Sequence, residues 1–266
     1  MDLQLAGKRA IVTGGSRGIG YAVAEVLAAE GASVVLVARG QDTLDAARTR
    51  LAARGHQVRA IAADTTDDAA VRAMAAQVAS DLGGIDILVN SAAEPATPTK
   101  GRAPLSDLDD ADLRAEVETK VLGYLRCARA AAPHMIAQGW GRIINISGLA
   151  ARQSGSTFGS IRNVAVAAMT KNLADELGPA GVNVTVVHPG MTVTERTPAP
   201  LAAMVAAGGG TEDEAQSRLA AGTSIKRLIT AAEVADVVAF LASPRSVAIT
   251  ADAIAAGGGT PRAIHY

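Results

Sequence analysis

The sequence predicts an α/β protein built on a doubly wound sheet of about seven parallel strands, with helices on both faces. Short β-branched runs alternate with longer alanine-rich stretches of helical pattern along the 266 residues, and this alternation is typical of right-handed βαβ crossovers. The strand-like runs are continuously apolar, as expected when helices cover both faces of a sheet. No low-complexity linker divides the chain, so we expect a single domain over residues 1–266.

The predicted elements follow one another in a regular order. The seven strand-like runs are residues 9–13, 33–38, 58–62, 85–89, 142–147, 182–188 and 248–253. Helical patterns lie near residues 18–30, 41–54, 67–82, 107–138, 158–178 and 231–242. Residues 191–223, which contain several Pro and Gly, predict a long irregular insertion. Because insertions at the carboxyl end of a sheet often cover a site, we interpret residues 191–224 as a substrate lid.

Composition argues against several classes of function. The net charge is −1, from 25 basic and 26 acidic residues, and no long basic run supports binding to nucleic acid. No window approaches ~18 consecutive apolar residues, and the first residues lack the apolar core of a signal peptide, so we expect no membrane partner and a cytoplasmic location. The single cysteine, Cys127, cannot form an intrachain disulfide. We expect a small-molecule substrate and no metal site.

A glycine-rich turn follows the first predicted strand directly. Residues 13–20 read TGGSRGIG and then open a helix. Glycines at positions 14, 18 and 20 allow a tight turn and let backbone N–H groups approach a pyrophosphate at the positive end of that helix. A glycine-rich turn between a strand and a helix at the start of an α/β chain predicts a dinucleotide-binding site.

Further motifs extend this pattern along the chain. Asp64 lies in AADTTD, residues 90–93 read NSAA, residues 141–147 read GRIINIS, and residues 170–174 read TKNLA. Pro189-Gly190 and the glycines at 257–259 follow. With these motifs in this order, the chain resembles the short-chain dehydrogenase/reductase family, whose members have a Rossmann-type sheet, over nearly its whole length. The resemblance implies an oxidoreductase that exchanges a hydride between a nicotinamide and a carbonyl or alcohol.

The resemblance also implies roles for individual residues. Asp64 is expected at the adenine, Asn90 is expected to support the central strand, and residues 189–194 are expected beside the nicotinamide. The predicted cofactor-binding residues are Gly14, Ser16, Arg17, Gly18, Ile19, Gly20, Arg39, Asp64, Asn90, Ala92, Pro189, Gly190, Thr192 and Thr194.

The end of the second predicted strand indicates which dinucleotide binds. A site that prefers NAD has an acidic side chain there for the ribose 2′-hydroxyl, whereas this chain has Val37-Ala38-Arg39. Arg17 and Arg39 could together hold a 2′-phosphate, because a guanidinium matches phosphate oxygens. We therefore predict NADP(H), with NAD(H) as the alternative if the two arginines are ordinary surface residues.

The catalytic motif of the family is missing from the sequence. The family uses a Tyr, a Lys four residues later that lowers the pKa of the Tyr, a Ser that orients the substrate oxygen and an Asn on the preceding helix. None of the three tyrosines, Tyr21, Tyr124 and Tyr266, has a Lys four residues later. Counting from neighbouring motifs places the family's Tyr at Gly159, its Lys at Asn163, its Ser at Gly148 and its Asn at Lys120.

Several side chains are candidates for the missing chemistry. Lys120 could act as a cationic proton donor, since burial would lower its pKa toward neutrality. Ser147 or Ser160 could orient a substrate oxygen, and Tyr124 lies four residues after Lys120 on the same helical pattern. His188, at the end of the sixth predicted strand, is a further acid. Structural roles remain open for all of these: a solvated lysine, capping serines, a packed tyrosine and a loop histidine.

Three functions are compatible with this sequence. The first is an NADP(H)-dependent oxidoreductase of carbonyl or alcohol substrates with a non-standard catalytic site. The second is a catalytically inactive NADP(H)-binding sensor or assembly protein. The third is a non-redox isomerase or lyase that uses Lys120 or His188 as a base. The intact cofactor motif favours the first two, and the family resemblance implies a homotetramer or homodimer.

Overall fold

The computed structural model describes residues 1–93 and 103–261 and contains a seven-stranded parallel sheet. Its strands are β1 (Arg9–Thr13), β2 (Ser33–Ala38), β3 (Arg59–Ala62), β4 (Ile87–Asn90), β5 (Gly141–Ile146), β6 (Val182–Pro189) and β9 (Ala253–Ala256). Their order across the sheet is β3-β2-β1-β4-β5-β6-β9. The predicted doubly wound α/β fold is therefore confirmed. β1 and β4 are hydrogen-bonded neighbours although two strands separate them in the chain, and this reversal of strand order creates the crevice in which such folds bind ligands.

Helices cover both faces of this sheet. They are α1 (Gly18–Ala29), α2 (Gln41–Ala52), α3 (Asp68–Leu82), α4 (Asp110–Glu116), α5 (Gly123–Ala137), α6 (Thr157–Leu177), α7 (Pro198–Gly208), α8 (Glu212–Ala221) and α9 (Ala231–Ala242). α1, α2 and α9 pack on one face of the sheet, and α3, α5 and α6 pack on the other. A short two-stranded sheet pairs β7 (Thr192–Val193) with β8 (Ile229–Thr230).

Small apolar side chains let the helices lie close to the sheet. α1 and α9 contribute the buried alanines Ala24, Ala235 and Ala239 to the same core. Leu27 is fully buried beside them, and burial of a leucine side chain contributes about 2 kcal/mol. No described helix is long and apolar enough to span a bilayer.

The last strand lies elsewhere than predicted. The sequence pattern placed it at 248–253, but β9 covers Ala253–Ala256. Ala251 has a φ of +61°, which a strand residue cannot adopt, and the Asn183 amide donates to the carbonyl oxygens of Val247 and Ile249. The apolar residues before Ala251 therefore form a loop that is tied to β6.

The prediction of an irregular insertion over residues 191–223 is wrong, because the structure contains two helices there, α7 and α8. α8 begins with a capping box, in which the Thr211 hydroxyl accepts from the Glu214 N–H and the Glu214 carboxylate accepts from the Thr211 N–H. Such a box stabilises a helix start and has a readable T-x-x-E pattern. Gly208 is the last residue of α7, and Gly209 and Gly210 lie between the two helices.

The long helix predicted over 107–138 is interrupted in its middle. Residues Val117–Leu122 form a π-helical segment between α4 and α5, and π-helical turns often lie at functional sites. Lys120 belongs to this segment. The change in helical pitch therefore occurs where the sequence suggested a proton donor.

Candidate functional site

The glycine-rich turn has the geometry of a phosphate-binding loop. Gly14 has a φ of +67°, and a Cβ there would lie 2.7 Å from the carbonyl oxygen of Ser91. A Cβ on Gly20 would overlap the carbonyl oxygen of Gly14. Only glycine fits at these two positions, because an added side chain would collide with the main chain. The loop thus keeps its backbone exposed at the N-terminus of α1.

An anionic group already contacts this helix N-terminus. The Gly18 N–H donates to Glu195 Oε1 at 3.0 Å, and Oε2 of the same carboxylate is 3.3 Å away. Unpaired N–H groups and the helix dipole together attract anions at such a position. Sequence reasoning missed Glu195, which lies 177 residues from Gly18 in the chain.

A cavity of about 480 Å³ extends from the glycine-rich turn along the carboxyl ends of the strands. We call it the cofactor cavity. Eleven of the predicted cofactor-binding or catalytic residues line it, namely Gly14, Ser16, Arg17, Gly18, Ile19, Arg39, Asp64, Ala92, Lys120, Ser147 and Thr194. The fold therefore brings together residues that are up to 180 positions apart in the sequence.

A second cavity, of about 680 Å³, adjoins the first. We call it the substrate cavity. Ser147, Ile19 and Thr194 line both cavities. The predicted residues Pro189, Gly190 and Thr192 line the substrate cavity alone. Leu219, Gly222 and Thr223, from the end of α8 and the residues that follow it, close one side.

Gly20, Asn90 and His188, three of the predicted residues, line neither cavity. Gly20 instead packs against Gly14. The buried Asn90 amide donates to Asn145 Oδ1 at 2.9 Å and so links β4 to β5. The role that the family resemblance implies for Asn90, support of the central strand, stays a prediction.

Lys120 is buried, and only 5% of the residue is exposed. Its Nζ donates to the carbonyl oxygen of Ser147 at 2.9 Å. Burial and, to a smaller extent, the Arg162 guanidinium lower the pKa of Lys120 to about 7, against the opposing effect of Glu116. An amine with this pKa exchanges a proton near neutral pH.

Tyr124 lies beside Lys120, and both residues line the cofactor cavity. The phenol donates to the carbonyl oxygen of Ile146 at 2.9 Å, one residue before the carbonyl that accepts from Lys120. Burial raises the pKa of Tyr124 far above its usual value. The phenol therefore stays neutral and anchors the helix to the end of β5.

His188 is 1% exposed, at the carboxyl end of β6. Burial, together with the nearby charges of Arg152 and Lys120, lowers its pKa to about 4. Its Nδ1 has no hydrogen-bond partner among the residues that the structure describes. A neutral, enclosed imidazole of this kind is not placed to exchange a proton with a ligand in either cavity.

The positions at which the resemblance expects Tyr and Lys lie one turn apart on α6. Gly159 is buried, and its N–H donates to the Ser156 hydroxyl that caps the helix. Asn163 is 3% exposed, and its Oδ1 has no hydrogen-bond partner in residues 1–93 and 103–261. The Ser147 hydroxyl donates to the backbone carbonyl of Asn163 at 3.2 Å. Ser160 donates instead to the carbonyl of Gln153 and lines neither cavity.

Two charged residues that the sequence did not single out lie close to Lys120. Glu116 ends α4 and is 4% exposed. Its Oε2 lies 2.7 Å from Nη1 of Arg162 on α6. The two residues are 46 positions apart, and neither belongs to a motif, so no local pattern could have paired them.

Comparisons with known proteins agree with this geometry. A family model described as short chain dehydrogenase matches residues 8–204. The chain is 36% identical to the short-chain reductase NovJ of Streptomyces niveus over 253 residues, covering 95% of this chain and 93% of that protein. It is also 36% identical to the cis-4-hydroxycyclohexanecarboxylate dehydrogenase of Sinomonas cyclohexanicum over 265 residues, covering 97% and 98%.

A solved structure gives the same result. The L-sorbose reductase of Gluconobacter frateurii, crystallised with NADPH and L-sorbose, superposes with a TM-score of 0.90 at 30% sequence identity. The match covers 99% of this chain and 100% of that one. The glycine-rich turn, the strand order and these matches together show that the chain belongs to the short-chain dehydrogenase/reductase family, which is a family of oxidoreductases.

Proposed function

We propose that this protein is an NADP(H)-dependent oxidoreductase that interconverts a small polar carbonyl compound and its alcohol, with Lys120 as the proton donor and acceptor. One observation carries the proposal. The buried Lys120 lines the cofactor cavity and donates to Ser147, the residue at which the cofactor and substrate cavities meet. In this proposal, the proton donor of the non-standard catalytic site that the sequence suggested is Nζ of Lys120.

The residues of the cofactor cavity fit a dinucleotide. The exposed main chain of Gly14 and Gly18 fits a pyrophosphate, and the Glu195 carboxylate is an anionic stand-in at the N-terminus of α1. Arg17 and Arg39 line the same cavity and would hold a 2′-phosphate. The L-sorbose reductase structure contains NADPH, which supports NADP(H) for this chain. When bound, the nicotinamide supplies or accepts the hydride.

The chain itself supplies the proton chemistry. In the reducing direction, the N–H bond of the Lys120 ammonium breaks and an O–H bond forms on the substrate oxygen, leaving a neutral amine that takes a proton back from solvent. A pKa of about 7 suits this role, because a proton donor works best when its pKa lies near the working pH. Ser147 lines both cavities, which supports a role in orienting the substrate oxygen once its hydroxyl turns from the Asn163 carbonyl.

The substrate cavity has a polar lining. Its hydrogen-bonding side chains include Gln153, Ser156, Thr192 and Thr223, and no aromatic ring is found among its described lining residues. A lining of this kind recognises hydroxyl groups. Two relatives are named for hydroxylated substrates, a ketose and a hydroxycyclohexanecarboxylate. These features support a small hydroxylated substrate.

Two further predictions stay part of this proposal. Leu219, Gly222 and Thr223 line the substrate cavity, which supports the assignment of residues 191–224 as its lid. The homotetramer or homodimer stays a prediction from the family resemblance.

The test compares binding with turnover. NADPH and NADH binding is measured by nicotinamide fluorescence, and reduction is assayed on ketoses, hydroxycycloalkanones and simple ketones. We expect the Lys120→Met variant to bind NADPH as the wild type does and to lose ~10²–10⁴-fold in kcat, as is typical when a general acid is removed.

Lys171→Met is the matched control, because Lys171 is an exposed residue of α6 that pairs with Asp175. We expect it to keep full activity. NADPH binding by a wild type that reduces nothing would favour the inactive-sensor alternative, and unchanged kcat in Lys120→Met would refute the assignment of the proton donor.

A further inference from the structure

The ion pair formed by Glu116 and Arg162 lies beside Lys120 in a buried part of the molecule. Glu116 stands four residues before Lys120, at the last position before the π-helical segment. Arg162 reaches it from α6, and Nη1 lies 2.7 Å from Oε2. The side chains are 16% exposed for Arg162 and 5% for Glu116, so solvent screens the two charges poorly.

The pairing is incomplete, which argues against a purely structural role. Within the described part of the chain, Glu116 Oε2 has no hydrogen bond of normal geometry despite its short distance to Arg162, and Arg162 Nε has no partner there. A buried ion pair with unsatisfied polar atoms is a poor source of stability, because desolvation offsets the attraction. Charged groups held in such an arrangement beside a cavity are often functional.

The surroundings of Lys120 leave these two residues as its principal charged neighbours. Titratable or charged groups face it from α4 (Glu116), α5 (Tyr124), α6 (Arg162) and β6 (His188). Tyr124 stays a neutral phenol because burial raises its pKa, and His188 stays neutral above its pKa of about 4. The carboxylate and the guanidinium therefore act on Lys120 with opposite signs.

We infer that Glu116 and Arg162 are positioning residues that set the charge of Lys120, the carboxylate favouring its ammonium form and the guanidinium favouring its neutral form. This inference rests on the proposed function, because the balance between the two forms matters to a proton donor. Burial and the Arg162 guanidinium together explain why the Glu116 carboxylate does not hold Lys120 permanently protonated. Glu116 lines neither cavity, whereas Arg162 also lines the substrate cavity.

The test uses variants that remove one charge at a time. Glu116→Gln removes the attraction, so the pH at which reduction falls to half its maximum is expected to move down by about one unit. Arg162→Met leaves the carboxylate alone with Lys120, so the same midpoint is expected to move up by about one unit. The double variant is expected to return close to the wild type.

Two controls separate this effect from a loss of packing. Glu116→Asp keeps the charge and is expected to keep the wild-type midpoint. Glu118→Gln changes a nearby carboxylate that is 40% exposed and pairs with Arg126, and it is expected to leave the midpoint unchanged. A merely structural role for Glu116 and Arg162 would lower activity without moving the midpoint in opposite directions.

A measurement that needs no turnover keeps the inference testable by itself. The chain has five lysines, so the titration of each can be followed by NMR with lysine labelled at 13Cε, and Lys120→Arg identifies the Lys120 signal. Opposite displacements of the Lys120 titration in Glu116→Gln and Arg162→Met support the inference even if no substrate is reduced, in which case the proposed function fails alone. If the Lys120 titration moves in the same direction in both variants, or does not move in variants that remain folded, the inference is overturned.

Discussion

The two ends of the nucleotide cleft are built from different parts of the chain. At the phosphate end, between β1 and α1, the site is built from main chain: Gly14 and Gly20 leave no room for a Cβ, and the Gly18 N–H donates to the Glu195 carboxylate. At the reaction end, between β5 and α6, the Lys120 ammonium donates to the backbone carbonyl of Ser147, and the Ser147 hydroxyl donates to the backbone carbonyl of Asn163. The glycine-rich turn has the motif that the family resemblance implies, whereas positions 120 and 163 do not have the residues that it implies.

This difference follows from how each end tolerates change. A backbone site depends on the absence of a Cβ, so nearly any substitution of its glycines collides with the main chain. A site built from side chains can exchange one residue for another, provided that a group of the same charge still extends into the cavity. By the family resemblance, Asn is expected at position 120 and Lys at position 163, and this chain has Lys120 and Asn163. The cationic group therefore stands on the helix opposite its family position.

The largest expected effect is at the phosphate end. In Gly14→Ala the new Cβ would lie 2.7 Å from the carbonyl of Ser91, and φ would stay at +67°. Strain of this kind costs a few kcal/mol, so NADPH affinity is expected to fall by about 100-fold or more. Gly178→Ala is the matched control, since a Cβ at Gly178 meets nothing within 4 Å. Equal affinities of the two variants by fluorescence titration would contradict a backbone-built phosphate site.

The next effect is on stability and comes from the reaction end. The pKa of Lys120 is about 7 in the folded chain, against 10.5 for an ordinary lysine. Between these values the unfolded chain binds a proton that the folded chain releases, so stability rises with pH over this window. Below pH 7 the cost of burying the charge is present in full. We therefore expect Lys120→Met to stabilise the protein most in acid.

Denaturant unfolding at pH 6 and pH 9.5 measures this effect. The advantage of Lys120→Met over the wild type is expected to shrink between these values by on the order of 2–3 kcal/mol. Lys171→Met, at an exposed ion pair with Asp175, is expected to show no such change. An advantage of equal size at both pH values would mean that Lys120 titrates normally.

The contrast between the phosphate end and the reaction end also determines which features could be predicted from the sequence. The sheet, its parallel strands and the glycine-rich turn depend on local patterns of apolar residues and glycine, and their positions agree with the structure except at the last strand. That strand was misplaced because the positive φ of Ala251 has no sequence signature. The α8 helix was missed although Thr211 and Glu214 form a readable capping box.

The reaction end depends on contacts between distant residues. The sequence pointed to Lys120 through its alignment with the family, but its burial and its bond to Ser147 required the folded chain. The Glu116–Arg162 pair and the contact of Glu195 with Gly18 join residues that share no motif. Long-range pairs of single side chains leave no periodic pattern, so sequence reasoning alone could not find them.

A smaller effect is expected at the ribose end of the cofactor cavity. Arg39 lines this cavity at the end of β2, and loss of a charge-assisted bond to a 2′-phosphate costs about 1.5 kcal/mol. Arg39→Ala is therefore expected to weaken NADPH binding by about tenfold, with NADH binding unchanged. Arg48→Ala, at an exposed residue of α2 that pairs with Asp45, is the control. Equal weakening for both nucleotides would show that Arg39 does not distinguish them.

The smallest expected effect has the opposite sign and concerns Glu195. Its carboxylate accepts from the Gly18 N–H at 3.0 Å, where a pyrophosphate would otherwise bind, so the two anions compete for the N-terminus of α1. Glu195→Gln keeps the shape of the side chain and removes its charge, and is expected to tighten NADPH binding by about two- to fivefold. Glu212→Gln, an equal charge change at an exposed position of α8, is expected to leave affinity unchanged. Weaker NADPH binding by Glu195→Gln would mean that the carboxylate supports the bound dinucleotide. Tighter NADPH binding that persists at high salt would mean that the charge of Glu195 is not the cause of the change in affinity.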